Sequence, residues 1–258
     1  MSHRNRAHVE LAPSAAHRWI PCGASIRLTR GLPEESSIYA DEGTGAHELA
    51  QRCLVQDCDA HAFIGQSFGP LLVTAEVAAQ VQIYLSKCRE IIDVCDFHQI
   101  EQRLDLAPLN PPTEMGGTVD LVAYSSKRRT VHVADLKFGK GVFVETKENQ
   151  QLLYYALAAT LAVPGPVSAA TLHIVQPRYG RDPVRSWSCS ADFLAEWSMH
   201  FFERARIALR PDAPAVAGPW CRFCGAKSSC VAYQQTKTAE AFRQFQIVDA
   251  RATGPDID

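Results

Sequence analysis

Apolar positions along the chain alternate between helix-like and strand-like spacing. From 42 to 55, Ala46, Leu49, Ala50 and Leu54 recur on one helical face, and Gly43 and Gly45 leave the start of that helix open. A longer helix is predicted over 74–94, where Val77, Val81, Tyr84, Leu85, Cys88 and Ile91 form a stripe. Residues 97–106 read as a strand. Two β-rich runs follow, 117–124 and 130–138, and the polar stretch 125–129 between them marks a hairpin. The Ala/Leu-rich segment 148–162 is helical and ends before Pro164 and Gly165. A strand is expected over 170–176 and a helix over 191–209. Pro13, Pro21 and Pro33 break residues 1–41 into loop and short helical turns. After Pro211 come Pro and Gly, then clustered cysteines, then a polar helix. The order predicts an α/β chain in three parts: an N-terminal segment 1–41, a core 42–210 and a C-terminal segment 211–258.

The hairpin carries the first chemical signal. A turn centred between Lys127 and Arg128 sets Asp120 opposite Asp135, with both side chains on one face and roughly 5 Å between their Cβ atoms. Lys137 shares that face by strand periodicity. Both aspartates interrupt apolar strands (GTVDLVAY and VHVADLKF), where an unpaired charge costs most. Opposed carboxylates repel unless a cation lies between them, and a hard divalent ion is the natural filler. The adjacent lysine would then hold water or neutralise a phosphate. A solvated hairpin is the plainer alternative.

Further side chains fall around this pair. Gln151 and Tyr155 stand four apart on the next helix and share a face. His47, in GTGAHELAQ, offers a nitrogen from the first helix, though HELAQ lacks the second histidine of a zinc-protease motif. Glu101 lies on the preceding strand, within reach of the acidic cluster or simply at the surface. Lys140, Lys147, Arg178 and Arg181 flank the motif as candidate phosphate contacts.

Composition changes this picture in two places. A net charge of -2 gives no global attraction for nucleic acid, so any DNA binding rests on local basic patches. Nine cysteines, without an apolar signal core at the N-terminus, point to a reducing cytoplasmic setting and to metal ligation over disulfides. No apolar run is long enough to span a membrane. Cys221, Cys224 and Cys230 crowd into GPWCRFCGAKSSC and suit one soft-metal centre that needs a fourth ligand. No histidine lies in that tail, and Cys22 in HRWIPCG would close the site. Zinc and iron–sulfur both remain open on spacing alone.

In order, GGTVDLVAY, HVADLKFGKG and QLLYYA resemble the D, (D/E)-x-K and Q-x3-Y motifs of RecB-like nucleases in the PD-(D/E)xK superfamily. The histidine in GTGAHE is similar to that group's upstream metal ligand. One N-terminal cysteine with three C-terminal ones resembles the iron–sulfur members, CRISPR-associated and phage-associated exonucleases among them. The resemblance implies a restriction-endonuclease-like central mixed sheet flanked by helices. It makes His47, Asp120 and Asp135 ligands of Mg²⁺ or Mn²⁺, and Lys137 the catalytic lysine supported by Gln151 and Tyr155. It makes Cys22, Cys221, Cys224 and Cys230 ligands of a [4Fe–4S] cluster joining the terminal segments. The implied activity is exonucleolytic cleavage of DNA single strands or ends, with any motor supplied by a helicase or recombination partner. A catalytically silent DNA-binding or assembly subunit is the alternative. The second carboxylate is Asp135, where Glu is commoner.

Overall fold

A computed structural model describes residues 9–33, 38–140 and 142–252. The remaining parts of the expected terminal segments, and Gly141 of the lysine motif, lie outside the described residues. The elements run α1 (Ala16–Trp19), α2 (Ala24–Thr29), α3 (Ile38–Gln56), β1 (Ser67–Phe68), β2 (Leu71–Leu72), α4 (Ala75–Asp93), β3 (Phe97–Asp105), β4 (Gly116–Ser125), β5 (Thr130–Leu136), α5 (Gln150–Ala162), β6 (Ala169–Val175), β7 (Val184–Ser190), α6 (Ala191–Ala208) and α7 (Val231–Ala252). Each predicted helix and strand is present within a few residues of its expected bounds. The chain divides into two compact units, one of 1–16 with 34–202 and one of 17–33 with 203–258.

The larger unit is built on a mixed five-stranded sheet of order β3-β4-β5-β6-β7. Its pairs are antiparallel apart from β5 and β6, which run parallel and are joined through α5. That is the usual reason for a crossover helix. The expected hairpin register holds, from Leu121↔Ala134 to Ser125↔Thr130. Leu121, Ala123, Ala134 and Leu136 face α3 and α4, forming a core with Leu49, Val81, Leu85 and Cys88. The opposite face meets α5, whose residues from Leu152 to Ala159 are all buried. A helix apolar all round needs cover on both sides. Here α6 supplies it: Phe201 packs edge-on against Tyr154 at 4.8 Å, and the Trp197 indole donates to Gln150.

Two features differ from expectation. Gly45 lies inside α3, not at an open helix start, and a Cβ there would meet the Phe68 carbonyl at 2.3 Å. The β1–β2 hairpin therefore approaches the helix backbone where only glycine fits. The strand β7 is also present, over a segment whose pattern predicts none. It is an edge strand reading VRSWSCS, and its alternating serines carry little apolar signal.

The α4 side of the sheet also buries a polar pair. His132 Nδ1 lies 3.1 Å from His173 Nε2, and His173 Nδ1 lies 2.7 Å from the Ser186 hydroxyl. Burial pushes both imidazoles down, His173 to about 3, with the charges of Arg128 and Lys87 adding to the effect at His132.

Candidate metal centre

Three adjacent strands place a carboxylate in one row across the sheet. Ile100↔Leu121 and Gln102↔Val119 flank Glu101 and Asp120, and these two do not themselves pair. Between β4 and β5 the ladder stops at Leu121↔Ala134, one step short of Asp120 and Asp135. The sheet is thus interrupted on both sides of Asp120. Glu101 has φ 50, a left-handed conformation for a non-glycine residue inside a strand. Such a conformation costs on the order of 1–3 kcal/mol and persists only where the surroundings hold it. In place of a strand partner, the Asp120 Oδ2 accepts from the Leu136 amide at 2.8 Å.

The helices deliver the remaining groups. His47 on α3 brings Nδ1 to 3.2 Å from Asp120 Oδ1 and 3.9 Å from Glu101 Oε1. Among the described residues, His47, Glu101 and Asp120 form the group whose ligand atoms all lie within 4.8 Å of one another. Asp135 sits beside them with different company. Lys137 Nζ is 2.8 Å from its Oδ2, off the hydrogen-bonding direction, and Gln151 donates to its Oδ1 at 3.2 Å. Lys137 in turn donates to Gln151 Oε1 at 2.7 Å. Asn149 caps α5 by accepting from the Leu152 amide, which fixes Gln151 in the first helical turn.

The electrostatics follow from burial and these pairings. Desolvation alone would lower His47, yet Asp120, with Asp135 and Glu101 behind it, carries the imidazole up to about 9. Burial works to raise Asp120, but the His47 charge and hydrogen bond, with the Leu136 amide and Lys137, bring its carboxyl down. For Asp135 burial wins over Lys137, and its carboxyl is raised, Asp120 adding to the effect. The Tyr155 phenol is also raised, by burial and then by both aspartates. The His47 imidazole and the Lys137 amine thus sit against the carboxylates, where a bound cation would offset the same charge.

The donor set suits such an ion. It has one nitrogen and several hard oxygens, and the buried Asp135 Oδ2 has no hydrogen-bond donor. This is a chemistry that Mg²⁺ and Mn²⁺ both accept, Mn²⁺ taking the nitrogen more readily. The structure therefore brings together His47, Asp120, Asp135, Lys137, Gln151 and Tyr155, all named from the sequence, and raises Glu101 to equal standing. Glu101, offered by the sequence either to the cluster or to the surface, belongs to the cluster, its side chain 5% exposed. Of the basic candidates, Lys140, Lys147 and Arg181 are exposed. Arg178 is bound at 2.5 Å to Glu42 and lies over the Phe138 ring, so its charge holds the fold.

The smaller unit contains Cys22, Cys221, Cys224 and Cys230. Arg204 donates to the Ile20 carbonyl at 2.6 Å and the Ala24 amide to the Pro214 carbonyl at 3.2 Å, tying 17–33 to 203–258. The Val216 amide points at Cys22 Sγ (3.4 Å) and the Gly218 amide at Cys221 Sγ (3.5 Å). Burial raises the Cys22 thiol, and Cys221 and Cys224 are close enough to raise it further. The amide aimed at Cys22 works against the burial that raises it, and among the described residues the ligand atoms gathered within 4.8 Å of one another are those of His47, Glu101 and Asp120, not of these cysteines.

A family model described as "Protein of unknown function (DUF2800)" matches residues 8–252, and the chain belongs to that family. A solved structure titled "Crystal structure of SSO0001" is similar over 90% of this chain and 91% of its own, with 12% identity and a TM-score of 0.44, a likeness too slight to transfer a function.

Proposed function

We propose that this DUF2800 member is a metal-dependent deoxyribonuclease of the RecB-like, PD-(D/E)xK kind, acting on single strands or DNA ends. The observation that carries the reading is the convergence of His47, Glu101 and Asp120 beside the Asp135–Lys137–Gln151 triangle at a break in the sheet. His47, Asp120 and Asp135, with Glu101 in addition, would hold Mg²⁺ or Mn²⁺. When bound, that ion supplies Lewis acidity toward a phosphate oxygen and acidifies a water. Lys137, released from Asp135 Oδ2, presents an ammonium to the charge that grows on phosphate during hydrolysis. Gln151 keeps that ammonium aimed, since its amide holds Lys137 and Asp135 together. Tyr155, one helical turn on, lines the same face of α5. Cys22, Cys221, Cys224 and Cys230 would hold a [4Fe–4S] cluster in the smaller unit, with a structural role.

The test is incubation of the purified protein with end-labelled single- and double-stranded DNA, with and without Mn²⁺. Cleavage that needs the metal and disappears in Lys137→Ala supports the reading. DNA binding without turnover would favour the catalytically silent subunit instead.

A further inference from the structure

We propose that Phe143, backed by Arg185 and flanked by Tyr179, is a stacking platform for a base of single-stranded DNA entering the candidate site. This rests on the nuclease reading and adds to it a contact for the nucleobase.

The platform stands on two loops that leave the carboxyl ends of the parallel neighbours β5 and β6. One loop runs from Lys137 to the start of α5, and both its ends belong to the site. The other follows β6, whose Val175 carbonyl accepts from the Lys137 amide at 2.8 Å. Ligands of open α/β sheets gather at such strand ends.

Phe143 is 44% exposed, yet it is held firmly. Gln176, 2% exposed, donates to the Val142 carbonyl at 2.6 Å and accepts from the Val144 amide at 3.2 Å. A buried amide thus grips the backbone on either side of the exposed ring. The Arg185 guanidinium lies over that ring, 4.6 Å from its centroid. It is anchored by the Asp182 carbonyl at 2.6 Å, Gln176 Oε1 at 2.8 Å and the Val144 carbonyl at 3.2 Å. The Tyr179 ring lies 5.4 Å away, tilted by 50°. With the guanidinium over the ring, the residue still keeps 44% of its surface exposed. An aromatic side chain whose position is fixed by buried polar groups, while it stays partly exposed, is organised for a flat partner.

Exposed cations stand on the same two loops and could meet a phosphate backbone. Lys140, Lys147 and Arg181 are exposed on these two loops and make no ion pair among the described residues. Glu145, which accepts from the Thr146 and Lys147 amides, is exposed beside them, as are Glu148 and Asp182. Cations interleaved with a stacking ring are what a single strand needs: charge for its backbone and a π-face for a base that duplex pairing would hide.

The probe is fluorescence anisotropy of the full-length protein in metal-free buffer, with a labelled oligothymidylate and an abasic strand of equal length. Phe143→Ala and Phe143→Leu should weaken oligothymidylate binding roughly tenfold and leave abasic binding unchanged, while Phe143→Trp restores it. Thermal melting of each variant checks the fold. Wild-type affinity in Phe143→Ala would overturn the platform. So would equal losses on both strands, which would make the ring a mere support for its loop, or no binding of either strand by the wild type. Cleavage in Mn²⁺ is read separately. Ring-dependent binding without turnover sinks the nuclease reading and keeps the platform. Turnover that ignores the ring does the reverse.

Discussion

Lys137 donates to Gln151 at 2.7 Å while the same Gln151 amide reaches back to Asp135, so one side chain sets the angle of both members of the lysine motif. Gln151→Ala would leave the ammonium with only its off-axis contact to Asp135. Cleavage in Mn²⁺ should then fall roughly 10–100-fold, the usual cost of losing a partner that orients a metal site. Because the loss lies in aim, kcat should carry it with little change in KM. Steady-state kinetics on one single-stranded substrate separate the two, and an unaltered kcat would leave Gln151 as helix surface.

Asp135→Asn should abolish cleavage without harming the fold. Asp135 is 3% exposed, and its burial and the nearby Asp120 outweigh what Lys137 returns. An amide of the same shape removes that cost, so the metal-free variant should melt at or above the wild-type temperature, by about 1 kcal/mol or less. Calorimetry in metal-free buffer gives the sign. Full activity in the folded variant would remove Asp135 from the site.

His47→Ala tests the nitrogen donor. Mn²⁺ gains more than Mg²⁺ from an imidazole, so the variant should lose more Mn²⁺-supported than Mg²⁺-supported activity. Metal titrations of both proteins on one substrate show this as a larger shift of the Mn²⁺ curve. Superimposable curves would assign His47 to structure alone, leaving the carboxylates to hold the ion.

The cysteine set predicts colour. Protein purified without oxygen should be brown with a broad visible shoulder, and Cys22→Ser should lose both the shoulder and thermal stability. Tightly bound zinc in a colourless protein would identify the other metal. A Cys22→Ser protein that keeps its cluster would need a different fourth ligand.

Stability should fall on acidification through the histidine pair. His173 is held down to about 3 in the folded chain and titrates near 6.5 when unfolded. Its contribution is therefore whole above pH 6.5 and is lost as the pH falls toward 3, because the unfolded chain alone takes up the proton. The slope is about 1.4 kcal/mol per pH unit for one such group. Urea unfolding at pH 7 and pH 5 should show a smaller drop for His173→Asn than for the wild type. Equal drops would mean that carboxylates elsewhere dominate.

Periodicity and turn chemistry made most of this fold legible. The register of β4 and β5 follows from a polar turn between two alternating runs, and that register alone set Asp120 beside Asp135. Other features depend on the third dimension. Glu101 belongs to the centre only because β3 pairs with β4 in a register that no turn encodes. Gly45 reads as a weak helix position until the β1–β2 hairpin is seen pressed against it. β7 escaped because an edge strand can carry serines on its open side. Arg178 looked like a phosphate contact since its pairing with Glu42 spans 136 residues of chain.

The hydrogen bond from Val216 to Cys22 joins positions 194 residues apart. During synthesis at roughly 5–20 residues per second, the Cys22 thiol is made early and waits some tens of seconds for its partners to leave the ribosome. The larger unit has by then been almost wholly translated. Completion of the smaller unit consequently follows translation of the larger one. For that interval Cys22 is a bare thiol, open to oxidants and chaperones before it is enclosed.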